Sequence, residues 1–119
     1  MKLVTPELVC RQSMKQDITQ VLELDLTNQK ITEIENRNST FTKMATTLRQ
    51  LDLSFNLLES PDNIEILTNL RELDLSFNQL TVIECLPRLP NLRVLSLDFN
   101  KITKISNIRG LRKLETLSL

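Results

Sequence analysis

The stretch Leu48-Arg49-Gln50-Leu51-Asp52-Leu53-Ser54-Phe55-Asn56 decides how this chain is read. It returns as Leu70-Arg71-Glu72-Leu73-Asp74-Leu75-Ser76-Phe77-Asn78, and again as Leu92-Arg93-Val94-Leu95-Ser96-Leu97-Asp98-Phe99-Asn100. A partial copy, Leu114-Glu115-Thr116-Leu117-Ser118-Leu119, ends the sequence. The copies start at positions 48, 70, 92 and 114, so the spacing is constant. A degenerate and longer copy opens at Val21, carries Leu24, Leu26 and Ile31, runs up to Thr47, and has Gln29 where the others have Asn. Self-similarity at such a period means stacked units, each burying its apolar face against the next.

Each unit reads as a strand and a return. The x-Leu-x-Leu-x run alternates, so it is a strand with one apolar face, and the fourth and sixth motif positions point inward. The Asn ends the strand at a turn, where its amide can bond backbone groups otherwise unpaired inside the coil. The return is apolar at every third residue: Leu80, Ile83, Leu86 and Leu89 in the third coil, Ile102, Ile105, Ile108 and Leu111 in the fourth. That spacing fits 3₁₀ or short helical turns, and so short a unit leaves no room for a long helix.

The spacing L-x-x-L-x-L-x-x-N-x-I-x-x-I-x-x-I-x-x-L resembles the short, 22-residue subclass of leucine-rich repeats, over residues 21–119. The resemblance implies an α/β fold: a right-handed curved solenoid with a parallel β-sheet on the concave face and short 3₁₀ or loop segments on the convex face. It implies an N-terminal helical cap over residues 1–20, then repeats starting at 21, 48, 70, 92 and, in part, 114. The type member of the subclass is the nuclear regulatory subunit of protein phosphatase 1. Ciliary, centrosomal and dynein-assembly proteins share it, and the spliceosomal U2 A-prime protein is related. The leader Met1–Gln20 is similar in layout to the ciliary and centrosomal members, where a short helix begins near a Thr-x-Glu-Leu motif (here Thr5, Glu7 and Leu8). Several subfamilies share that layout.

Composition narrows the function. The 119 residues make one domain at most. There is no His, so imidazole-based zinc sites and hydrolase triads are excluded. A single Gly cannot build a phosphate-cradling loop. Fifteen basic residues balance fifteen acidic ones, which argues against direct binding of nucleic acid. Cys10 and Cys85 read as two free, partly buried thiols of a reducing compartment rather than a secreted disulfide framework. The N-terminus lacks the apolar core of a signal peptide, and no run approaches a membrane span, so the chain reads as intracellular with no membrane partner.

The ends carry expectations of their own. Thr5–Gln16 is the candidate cap, with Thr5 as N-cap, Pro6 at the first helical position, Glu7 at the positive helix end, and Leu8 and Val9 covering the first coil. The first repeat holds five extra residues around Asn36–Thr47, read as a longer convex turn whose Phe41 and Met44 can plug the core. Leu119 falls at the second inward Leu of a strand, which leaves an apolar edge. The expectation is a continuation of the chain or a partner covering that edge, and any catalytic activity would lie in such a continuation.

On the open face the remaining positions form columns. The second position reads Leu22, Arg49, Arg71, Arg93, Glu115; the third Glu23, Gln50, Glu72, Val94, Thr116; the fifth Asp25, Asp52, Asp74, Ser96, Ser118; the seventh Thr27, Ser54, Ser76, Asp98. Two readings stand for this face. It is a self-balanced solvated surface, where ion pairs contribute little, or it selects a protein partner with a basic surface. The Asp ladder lacks the backbone carbonyls of a calcium loop, and a flat strand stack does not separate two carboxylates for acid–base work. Phe55, Phe77 and Phe99 form a second ladder, read either as a packing spine or as an exposed rail. The expectation is a non-enzymatic interaction scaffold with no cofactor and no metal. Its partner-binding residues are Arg49, Asp52, Phe55, Arg71, Asp74, Phe77, Arg93, Asp98 and Phe99. Its setting is the cytoplasm, as an adaptor in cilium, centrosome or dynein assembly. The alternatives are a phosphatase regulatory subunit or a nuclear, splicing-type repeat domain.

Overall fold

The computed structural model describes residues 4–13, 17–35, 38–83, 86–105 and 108–119. Five short strands form one parallel sheet in chain order: β1 (Glu23–Asp25), β2 (Gln50–Asp52), β3 (Glu72–Asp74), β4 (Val94–Ser96) and β5 (Thr116–Ser118). Parallel neighbours need a crossover. Here each crossover is the convex half of a coil, and the last three are tightened into 3₁₀ turns at Ile64–Ile66, Leu86–Arg88 and Ile108–Gly110. These turns open at the same point of successive repeats, so the every-third-residue spacing is what the backbone follows. The sheet keeps register throughout: Glu23 lies beside Gln50, Gln50 beside Glu72, Glu72 beside Val94, and Val94 beside Thr116.

The core is the interior of the coils. Leu51, Leu53, Leu73, Leu75, Leu95 and Leu97 fill it from the sheet; Leu80, Ile83, Leu86 and Leu89 fill it from the return. Each such side chain contributes about 1.5–3 kcal/mol by leaving water. Ile105 and Ile108 of the fourth return remain exposed.

The motif asparagines hold the turns. Asn78 Nδ2 donates to the carbonyls of Leu53 and Leu75, both at 3.0 Å, and its Oδ1 accepts from Leu58 N at 3.0 Å. Asn56 and Asn100 repeat the arrangement one coil before and one coil after. Each amide thus bonds its own coil and the preceding one, satisfying buried backbone groups that no ladder reaches. In the first coil Gln29 Nε2 donates instead to Thr27 O.

Helix α1 (Pro6–Ser13) packs on β1. Thr5 caps it: Leu8 N donates to Thr5 Oγ1 at 3.2 Å. Pro6 takes the first helical position and loses no bond there. Leu8 and Val9 are buried over the first coil. Cys10 is half-buried against the same core. Met14–Gln16, at the end of the expected cap, and Cys85 lie outside the described residues.

The extra segment of the first coil is a short helix, α2 (Ser39–Lys43), rather than the longer turn expected there. Ser and Thr are modest helix formers, so propensity does not explain it. Asn38 does: its Oδ1 accepts from Phe41 N at 3.0 Å, and its Nδ2 donates to Val4 O at 3.0 Å. That one residue caps α2 and ties it to the chain leading into α1. Phe41 and Met44 then fill the core from above, as expected of them. Asn36 and Arg37 of this segment lie outside the described residues.

Candidate functional site

Three parallel columns cross the sheet. Along the edge where the strands begin run Arg49, Arg71 and Arg93, all exposed. Each is fixed by its backbone: Arg71 N donates to Arg49 O at 2.7 Å, and Arg93 N to Arg71 O at 2.7 Å. With Leu22, Glu23 and Glu72 they border a shallow groove of ≈ 430 Å³.

The acidic column lies over the middle of the sheet. A groove of ≈ 530 Å³ is lined by Glu23, Asp25, Asp52, Glu72 and Asp74, with Gln12 and Ser13 of α1 closing one end. No Lys or Arg lines it among the described residues. The seventh motif position does not face this groove, contrary to the simple alternation. Ser54 and Ser76 are only 5% and 7% exposed. Their hydroxyls turn back to donate to Asp52 and Asp74 Oδ1, both at 2.6 Å, while their backbone N–H groups donate to the same oxygens at 2.9 Å. An Asp-x-Ser turn of this kind competes with the extended strand and bends the chain out of it. The second carboxylate oxygen of each Asp takes no part in these bonds.

The first coil has the same turn with Thr27. Its hydroxyl and N–H donate to Asp25 Oδ1 at 2.5 and 2.9 Å. The hydroxyl first, then the backbone N–H, hold the Asp25 carboxyl below the usual carboxylate range. The fourth coil reverses the order to Ser96-x-Asp98. There Asp98, at the seventh position, lies outside the acidic column and is engaged by the next coil, with Ser118 Oγ 2.7 and 2.6 Å from its two oxygens. The structure therefore brings Asp52 and Asp74 together with Asp25 and sets Asp98 apart from them.

The third column is aromatic and follows the strands. Phe55 and Phe77 stack with ring centroids 4.2 Å apart, and Phe77 and Phe99 with centroids 4.4 Å apart. The rings are 54%, 40% and 73% exposed. All three residues sit in the left-handed region, at φ 56, 55 and 57. For a bulky residue that costs about 1–2 kcal/mol. Stacking returns about 0.5–1.5 kcal/mol for each of the two pairs, which offsets only part of the strain at the three positions.

Sequence reasoning places Glu23 and Glu72 in a column but does not single them out as site residues; the register that brings them beside Asp25 and Asp74 is the available signal. It misses an amide ladder on the way into the strands. Asn91 Nδ2 donates to Thr68 O at 3.0 Å, Asn69 Nδ2 to Thr46 O at 2.5 Å, and Lys113 Nζ to Asn91 Oδ1 at 2.9 Å. Positions 69, 91 and 113 keep the spacing of the repeat, which is the signal that could have found them.

The family model described as Leucine Rich repeats (2 copies) matches residues 46–88, 68–110 and 90–119, together more than half of the chain. The chain belongs to the leucine-rich repeat family. Solved leucine-rich repeat structures superimpose on it. Internalin C2 from Listeria monocytogenes gives a TM-score of 0.68 at 26% identity, covering 94% of this chain and 61% of the internalin. This chain thus spans about three fifths of that protein. The Drosophila melanogaster SNF/U2A′ complex gives a TM-score of 0.57 at 28% identity, covering 98% of this chain and 83% of the matched one. No protein of curated function matches the sequence.

Leucine-rich repeats are protein-binding modules, and their chemistry is the chemistry of the surface they present. Among the described residues no group of three or more His, Cys, Asp or Glu is arranged to hold a metal ion. Among them, too, no helix is long and apolar enough to cross a membrane.

Proposed function

We propose that this leucine-rich repeat protein is a non-enzymatic interaction module whose concave groove grips a basic segment of a protein partner. One observation carries the reading. Five carboxylates, from Glu23, Asp25, Asp52, Glu72 and Asp74, line one groove into which no basic side chain is drawn among the described residues. Clustered charge of one sign in a concave surface focuses its field outward, raises the association rate for a basic partner, and rejects acidic ones. The exposed row of Arg49, Arg71 and Arg93 beside it gives the partner an orientation: a basic stretch over the acids, acidic groups toward the arginines.

The leader layout, with α1 capped at Thr5, supports an adaptor role in the cytoplasm, in cilium, centrosome or dynein assembly. The short period of the repeat supports a phosphatase regulatory subunit as an alternative. The likeness to the SNF/U2A′ complex favours a second alternative, a nuclear splicing-type repeat domain that works in a protein complex.

The test is charge reversal followed by affinity capture and mass spectrometry. Asp52→Lys with Asp74→Lys should abolish recovery of the main partner. Because those carboxylates also cap turns, Glu23→Lys with Glu72→Lys, at exposed positions, provides a second reversal that leaves the turns alone. Undiminished capture by both variants, with normal circular dichroism, would move the binding site off this face.

A further inference from the structure

The phenylalanine row is not required by the backbone. Asn28 occupies the same turn position in the first coil, at φ 55, and Asn is among the residues that tolerate left-handed backbone best. The following three coils carry Phe there instead, in a strained conformation and with the rings substantially in water. The stack thus lays a continuous apolar strip along the array, beside the acidic groove.

The spacing of the two columns says what fits them together. Phe55 and Phe77 each follow an Asp by three positions, Asp52 and Asp74, and Phe99 follows Ser96 at the same spacing, a span of at most about 10 Å. That is about the width of one α-helix with its side chains, roughly 10–12 Å. Along the array, adjacent strands lie about 4.8 Å apart. A helix advances about 5.4 Å per turn, so a helix laid along the array meets each coil with roughly one turn. An extended segment offers same-side residues only every ~6.7 Å and loses step with the coils at once.

We infer that the partner's docking element is a basic amphipathic α-helix lying along the array. Lys or Arg on successive turns face Asp25, Asp52 and Asp74, and the adjacent aliphatic stripe rests on Phe55, Phe77 and Phe99. This rests on the acidic groove being the binding face, and it adds the secondary structure and second stripe of the partner.

The probe is a fluorescein-labelled synthetic peptide of about 18 residues, long enough to be helical when Ala-rich, with Lys on one stripe and Leu on the next. Anisotropy titration against the full chain should give saturable binding. Binding should weaken at least tenfold when the Leu stripe becomes Ser, when a central Pro breaks the helix, or when Lys becomes Glu. It should weaken equally in a Phe55→Asn, Phe77→Asn, Phe99→Asn protein whose melting temperature stays at or near that of the parent. If the triple variant fails to fold, Phe77→Asn alone should weaken binding at least threefold.

Unchanged binding to a folded Asn variant overturns the aromatic half of the proposal. Equal binding of the Pro peptide overturns the helix while leaving the acidic groove in place. Equal binding of the Glu peptide overturns both this inference and the groove. Failure of the parent peptide to bind the parent protein overturns the helix, and the charge-reversal capture then decides the groove separately.

Discussion

Phe41, in the extra segment of the first coil, is 0% exposed and lies within α2, whereas Phe77, on the rim of the third coil, is 40% exposed and stacks between Phe55 and Phe99. The residue type is the same; the place in the coil is not. Phe41 falls outside the repeat spacing, in the crossover of the first coil, where α2 packs against the 3₁₀ turn Ile64–Ile66 of the next coil. Phe77 falls on that spacing, at a turn whose left-handed φ throws its side chain outward. The comparison shows that an aromatic locked to the repeat is not thereby a core residue. What a side chain does in this array is set by its motif position, and hydrophobicity alone does not tell inside from rim.

The contrast makes its largest prediction for stability. Phe41→Ala removes a fully buried ring and leaves a cavity between α2 and the first coil, costing about 3–5 kcal/mol. Phe77→Ala loses two ring contacts but leaves no cavity, so it should cost less, about 1–3 kcal/mol. Urea denaturation of the two variants measures both. Equal losses would mean that the rim aromatics pack the structure after all.

The second prediction compares the turns themselves. Asn78→Ala strands the carbonyls of Leu53 and Leu75 and the N–H of Leu58, groups buried from water, and should cost about 2–4 kcal/mol. Gln29→Ala, at the matching but half-buried position of the first coil, should cost about 1 kcal/mol or less. Loss of equal size at both positions would show that the degenerate first coil is held as tightly as the regular ones.

Much of this architecture was legible because a repeat writes each decision several times. The strands, their register, the inward leucines and the Asn turns follow from the period alone. Three features did not. The α2 helix is built by Asn38 bonding Phe41 on one side and Val4 on the other, a contact between distant parts of the chain that no local propensity encodes. Ser54 and Ser76 are buried because their Asp neighbours pull the chain into a turn, where strict alternation would leave them open. The engagement of Asp98 depends on Ser118, one coil away. Of the site, the Arg, Asp and Phe columns were readable as columns. Their exposure, and the inclusion of Glu23 and Glu72 in the groove, needed the stacked structure.

The smallest predicted effect separates the first coil from its neighbours by pH. Asp25 is an exposed member of the acidic column, and its carboxyl is held low chiefly by the Thr27 hydroxyl and then by the Thr27 N–H. A carboxyl lowered in the folded state adds stability at pH above its unfolded value, about 3.9, and that stability is lost as pH falls through the folded value. Thr27→Val removes the hydroxyl and keeps the N–H. The Asp25 titration should therefore move up toward the ordinary range without reaching it, and acid should find slightly less stability to remove below that range. The change in unfolding free energy at neutral pH stays small, because solvent screens an exposed carboxylate. A carbon-detected NMR titration of the Asp25 carboxyl reads the shift directly. No movement in the Val variant would assign the lowering to the backbone N–H alone, and with it the turn to the backbone rather than to the side chain that the repeat supplies.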